Sequence, residues 1–231
     1  QPPMQGVEAQ WDPDNGKYKI YRNYTKEIAG NEVGYYFSYD AEEGKKIEVQ
    51  IGVRYISVAN TRENMDKEQQ STFSFDRVKA EAHAQWAKTL STVTVEGGTE
   101  AQKRVFYTAL YHSQIHPSIL QDVNGEYPEM ENGKIGRTSG DRYTIYSLWD
   151  TYRNLHQLET LLYPTRQLDM VRSMIDMYKE WGWMPKWELF GRETWTMEGD
   201  PSIPVITDTY LKGLRDFDVE TAYKAFLASA T

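Results

Sequence analysis

The sequence predicts an α+β chain of more than one domain: strands over residues 1–75, a linker helix and connector over 76–98, and helices over 99–231. Three observations carry this. Tyrosine-rich segments and a period-two alternation are confined to the first third. From Asp76 the composition turns to alanine and charge, with few β-branched residues. From Thr99 onward, helix start and stop signals follow one another.

In the first region, Lys17-Tyr18-Lys19-Ile20-Tyr21 and Val33-Gly34-Tyr35-Tyr36-Phe37-Ser38-Tyr39 read as strands bounded by turn residues (Asp14-Asn15-Gly16; Asp40 to Gly44). Ile47, Val49, Ile51, Val53 and Tyr55 alternate with polar residues or glycine, the pattern of a half-buried antiparallel strand. Strands at this spacing suggest a β-sandwich. Residues 75–86 then carry a thin apolar stripe (Val78, Ala82, Trp86), as expected of a connector helix lying on a neighbour.

Thr99-Glu100-Ala101-Gln102 is a capping box. It should start a helix with Val105, Phe106, Ala109, Leu110 and Ser113 on one face, closed by Pro117. Ser147 is placed to cap a helix over 148–162. Thr165 should start another over 166–181, with Leu168, Val171, Met174, Ile175 and Tyr178 inward and Gly182 as its stop. Asp200-Pro201 reads as an N-cap and first turn for 202–212, and Asp218 as the cap of the last helix. Helices joined by loops without strands suggest an antiparallel bundle or an α/α toroid. Twelve helices with their loops would need roughly 200 residues, more than residues 99–231 supply. The sequence is therefore expected to be a piece of a longer protein, cut at both ends.

Composition narrows the function. The 231 residues carry 26 Lys+Arg against 34 Asp+Glu, a net charge of −8, and both halves are acidic (12 against 15 before Thr99, 14 against 19 after). That disfavours a binder of nucleic-acid backbones, which needs a basic surface. There is no cysteine, which excludes disulfides and thiolate-bound zinc. No apolar run approaches the ~20 residues of a membrane span. His112 and His116 share helical i, i+4 spacing without the glutamate of a zinc-protease motif, so ordinary packing is expected and no metal ligand is assigned. Asp122-Val123-Asn124-Gly125-Glu126 reads as a turn without a full calcium-loop spacing. No phosphate loop or nucleophile elbow is present.

The loops hold the chemistry. Five of the seven tryptophans (149, 181, 183, 187, 195) fall within 47 residues, beside Asp150, Glu188, Glu193, Glu198 and Asp200. A pyranose needs this mixture: flat aromatic faces cover its C–H groups, and carboxylates with arginine forks satisfy its hydroxyls. Trp181 and Trp183 are better read as buried positions at a helix end. Asp150, in a first helical turn, is also favoured by the helix dipole whatever its task.

Five blocks occur in an order that resembles one family: Phe106 to His112, Asp122 to Tyr127, Tyr146-Ser147-Leu148-Trp149-Asp150-Thr151-Tyr152-Arg153, Gly182-Trp183-Met184-Pro185-Lys186-Trp187, and Pro204 to Gly213. Together, from about Asp76 to the C-terminus, the chain is similar to the glycoside hydrolase family 92 α-mannosidases. The resemblance implies the C-terminal part of a β-sandwich, a linker helix and the first helices of an (α/α)6 toroid. It implies an exported bacterial enzyme that releases terminal mannose from oligosaccharides or N-glycans with inversion, helped by calcium. By position it makes Trp149 and Asp150 the sugar contacts, with Arg153, Trp187, Glu193 and Glu198 as further candidates. The family's acid lies in a Glu-Gly segment followed by Trp-Gln and its base in an Asn-Asp-Asp-x-Gly segment. Neither occurs here, so the catalytic pair and the main calcium ligands are expected beyond Thr231. Two other readings fit the same residues: a non-catalytic carbohydrate-binding module, and a hydrolase of another α/α-toroid family.

Overall fold

The structure, a computed structural model, describes residues 5–12, 17–22, 33–39, 42–69 and 74–230. It divides into two compact units, residues 1–49 and 50–231. The first is a three-stranded antiparallel sheet. β1 (Gln5–Asp12) lies between β2 (Lys17–Arg22) and β3 (Val33–Ser38), in registers that set Val7 opposite Arg22 and Tyr36. β2 and β3 fall where their tyrosine-rich segments predict. The turn expected at Asp14-Asn15-Gly16 lies outside the described residues.

The alternating stretch 47–55 is not a strand. No ladder partner for it exists among the described residues, and Ile51 and Val53 are more than two-thirds exposed. Period two specifies a strand only when a neighbouring strand is there to pair with it. Residues 58–69, inside the stretch expected to be strands, form helix α1 (Val58–Gln69) instead. Ser57 caps it by accepting from the Asn60 backbone N–H at 3.0 Å. Its buried residues are Asn60 and Asn64, one turn apart. Their amides reach the Asp122 carboxylate at 2.7 and 2.8 Å, while the Asn64 carbonyl accepts from Val123 N–H at 2.8 Å. This helix docks through a polar face.

α2 (Phe75–Leu90), capped by Ser74, buries no residue completely; Trp86 packs edge-on against Tyr111 of α3 (Glu100–Ser113) at 4.5 Å. The capping box at Thr99 forms as predicted. The expected inward line of α3 holds only in part: Leu110 is buried and Ser113 half-buried, but Val105 (70%), Phe106 and Ala109 are exposed, and Tyr107 and, just past the end, Gln114 turn inward instead. Tyr107 is held there by hydrogen bonds with Val93 O and Val95 N.

Between the later helices lie short ladders where plain loops were expected: β4 (Ser118–Ile119) with β7 (Tyr143–Thr144), β5 (Glu126–Pro128) with β6 (Ile135–Arg137), and β8 (Tyr146–Ser147) with β9 (Trp187–Glu188). The expected helix over 148–162 breaks into α4 (Leu148–Thr151) and α5 (Leu155–Leu162), because Asn154 is non-helical (ψ −17°, φ −159°). α6 (Pro164–Trp181) begins with proline at its first turn and stops at Gly182 (φ 93°). Its Met170, Val171, Met174, Ile175 and Met177 form the centre of the core. Against them pack Tyr143, Tyr146, Leu148 and Met184, with Val205 and Ile206 of α7 (Ser202–Leu211) and Ala222 and Ala225 of α8 (Val219–Ala230). Asp218 caps α8 as predicted. Asp200 does not cap α7: its carboxylate lies 3.6 Å from Lys186 Nζ and makes no cap bond.

Candidate functional site

The β8–β9 ladder pairs Tyr146 with Glu188 and Ser147 with Trp187, so it ties the 146–153 block to the 182–200 loop. Trp149 is 40% exposed. The Arg153 guanidinium, four residues along, lies 4.6 Å over its ring and 5.0 Å over that of Tyr152. Asp150 is exposed, and Ser147 donates its hydroxyl to one of its two oxygens. The predicted Trp149, Asp150 and Arg153 therefore sit on one accessible turn.

The other three candidates differ. Trp187 is half-buried in the ladder. Glu193 is only 6% exposed, and its carboxylate accepts from the backbone N–H groups of Lys186 (2.9 Å), Trp187 (3.0 Å), Thr194 (3.1 Å) and Trp195 (3.4 Å). It gathers the loop around itself. Glu198 is exposed, apart from these contacts.

Glu188, noted among the loop carboxylates but not chosen as a sugar contact, is the residue that anchors the arrangement. Fully buried, it accepts from the Thr144 hydroxyl (2.8 Å), the Ile145 N–H (3.0 Å) and the Gly191 N–H (2.6 Å). Burial pushes its carboxyl up to about 7, against the pull of these donors and of Arg142. Arg142 is itself buried, paired with Glu180 at 2.8 Å and lying over the Tyr127 ring. Its place in a loop gives Glu188 no periodic signature of burial.

Behind Asp150 a single chain of hydrogen bonds crosses the core. Thr151 meets His156 Nε2 at 3.0 Å, His156 Nδ1 meets Gln167 Oε1 at 3.1 Å, the Gln167 amide donates to Thr209 at 2.9 Å, and Thr209 donates to Val205 O. With the glutamine oxygen accepting, His156 carries its proton on Nδ1 and accepts from Thr151 on Nε2. Burial lowers its pKa to about 4, so it is neutral near pH 7.

A cavity of about 240 Å³ opens beside this loop between Trp181, Trp183, Lys186, Glu193 and Trp195. A larger one, about 440 Å³, lies between Trp86 and Arg166 and touches none of the predicted residues. Calcium takes roughly six to eight oxygen ligands. Among the described residues no group of three or more His, Asp or Glu is placed to hold a metal. These residues do not by themselves fit such an ion. No helix among the described residues is long and apolar enough to cross a membrane.

An accessible indole, carboxylate and guanidinium share one turn beside two buried carboxylates, groups able to cover an apolar face and to bond hydroxyls. Residues 60–231 match the glycosyl hydrolase family 92 catalytic domain. The chain belongs to that family. It is similar to a family GH92 α-mannosidase of Bacteroides thetaiotaomicron (28% identity, TM-score 0.81, 99% of this chain and 30% of that one), a structure also known in complex with mannoimidazole. It is similar to an inverting family GH92 mannosidase of the same species (26% identity, TM-score 0.82, 96% of this chain and 29% of that one). A secreted glycosidase of uncharacterised activity from Arthroderma benhamiae is 24% identical over 203 residues, 85% of this chain and 22% of that protein. The chain thus spans less than a third of the length of these relatives.

Proposed function

We propose that this chain is the sugar-gripping part of an exported α-mannosidase that releases terminal mannose with inversion and requires calcium. Family membership and the mannosidase neighbours support the substrate class. The observation that carries the reading is the Trp149–Asp150–Arg153 turn. Asp150 has one oxygen fixed by Ser147 and the other without a hydrogen bond among the described residues, as a carboxylate that receives sugar hydroxyls should. Arg153 holds the indole in place by stacking.

On this reading the three-stranded unit is part of a β-sandwich and the helices begin an (α/α)6 toroid. In an inverting reaction one carboxylic acid protonates the departing oxygen while a second carboxylate, ~6.5–9.5 Å away, activates water. No residue of this chain is assigned to either task. Its own residues bind and orient the ring, Glu188 ties the two binding segments together, and Glu193 holds the second of them in shape. The isolated 231-residue chain is therefore expected to have no glycosidase activity.

The test is hydrolysis by the full-length gene product of α-mannosides beside α-glucosides, with the first-formed anomer followed by proton NMR and with a chelator added. Release of β-mannose, stopped by the chelator, is expected. Preference for glucosides would overturn the substrate; release of α-mannose would overturn inversion; indifference to chelation would overturn the calcium requirement.

A further inference from the structure

Trp149 and Asp150 lie on α4, which is four residues long, and helices shorter than about 12 residues are marginal by themselves. Ser147 makes no side-chain cap bond to the α4 backbone, and Asn154 breaks the helix just past its end. The turn is therefore held from outside. At its start Leu148 is fully buried and Ser147 sits in the β8–β9 ladder. At its end the Thr151 hydroxyl meets His156 Nε2 at 3.0 Å across the break, and the Gln157 amide donates to Tyr152 O at 3.0 Å. Trp149 and Asp150 stand exposed between these two anchors.

His156 is itself fixed from its far side. It is 1% exposed, and Gln167 and Thr209 beyond it are fully buried. Every bond of the row runs in one direction: Thr151 donates to His156, His156 to Gln167 of α6, Gln167 to Thr209 of α7, and Thr209 to Val205 O. Only the neutral ring can accept on Nε2 while it donates on Nδ1. Apolar side chains would join α5 to α6 and α7 without the risk of an unmet polar group. A fully satisfied row of hydrogen bonds adds direction instead, fixing one arrangement of the groups at its ends. One end is a carbonyl inside α7. The other is the turn that carries Asp150.

We propose that His156 is a positioning residue for sugar binding: through the Thr151 hydroxyl it sets where the Asp150 carboxylate stands relative to the helical core, and it touches no substrate itself. This rests on the reading of that turn as the sugar contact. A carboxylate displaced by about 1 Å keeps its charge but loses its alignment with the ring hydroxyls, and misplacement on that scale can cost about a hundredfold in rate.

The test is kcat/KM of the full-length gene product for α-mannosyl fluoride, in a double-mutant cycle between Thr151 and Asp150. Thr151→Val keeps the side chain's shape and removes the hydroxyl, and it should lower kcat/KM about tenfold or more. Thr151→Ser keeps the hydroxyl and should restore most of the loss. In an Asp150→Ala background Thr151→Val should have little further effect, because the carboxylate it positions is gone. A general loss of stability would lower both backgrounds by the same factor. His156→Asn retains a donor for Gln167 but is too short to reach Thr151, so it should match Thr151→Val, and either variant decides if the other fails to fold. Unchanged kcat/KM in Thr151→Val, an equal loss in Thr151→Ser, or the same loss in both backgrounds overturns the positioning role alone. A parent protein inactive on α-mannosyl fluoride, or an unchanged kcat/KM in Asp150→Ala, overturns the reading of the turn and this role with it.

Discussion

Thr144 donates its hydroxyl to Glu188 at 2.8 Å and accepts from the Phe190 N–H at 2.9 Å, so one side chain fixes both the start and the tip of the loop that faces it. Glu188 returns the grip through Ile145 and Gly191. The two segments bearing the candidate sugar contacts are thereby joined at a buried carboxylate.

That burial has a pH signature. Folding raises the Glu188 carboxyl from 4.5 to about 7, so between these values the folded state binds more protons than the unfolded chain. Its contribution is fully present below pH 4.5 and is lost as pH rises to 7, a fall of ~3 kcal/mol. Glu188→Gln should remove this slope, measured by urea unfolding at pH 5, 6 and 7.

His156 acts in the opposite direction. Burial lowers it from 6.5 to about 4, so the unfolded chain binds the extra proton and stability is lost as pH falls through that window, again by ~3 kcal/mol. The two slopes oppose each other between pH 4.5 and 6.5. Glu188→Gln should therefore unmask acid lability, and His156→Gln should unmask a decline toward pH 7, in the same unfolding series.

Asn64 is the hinge pin of α1. Asn64→Ala removes bonds to the Asp122 carboxylate and the Val123 N–H, leaving buried Asp122 with fewer donors. A loss of about 1–3 kcal/mol is expected from denaturant midpoints. Asn64→Leu, which matches the helix but not the polar face, should be no better.

How much of this was legible can be judged from such residues. The caps at Thr99 and Asp218 and the stop at Gly182 are local chemistry, and each formed where the sequence put it. α1 was invisible because hydrophobic periodicity finds helices that bury an apolar stripe, and this one buries asparagines. The ladders at β4, β7, β8 and β9 are two residues long, too short to show any period. The stretch 47–55 has the period but no ladder partner among the described residues. In the site, Trp149, Asp150 and Arg153 were singled out by one short sequence block, and their closeness in the chain puts them on one accessible turn. Glu188 was not, because its burial depends on Thr144 and Gly191 arriving from separate points of the chain.

Gly125 tests the turn that receives α1. Its φ is +86°, and a Cβ there would sit 2.4 Å from Thr138 O. Gly125→Ala combines the left-handed penalty of ~1–2 kcal/mol with that clash, so it should cost more than 2 kcal/mol in thermal or urea unfolding.

The most direct measurement is the kcat/KM of the full-length gene product for α-mannosyl fluoride, a substrate with a single ring, in the parent and in Asp150→Ala. Loss of a carboxylate that binds hydroxyls of the ring being released should lower it by about a hundredfold or more, the scale of one or two charge-assisted hydrogen bonds. A value within twofold of the parent would mean that the Trp149–Asp150 turn does not hold the sugar.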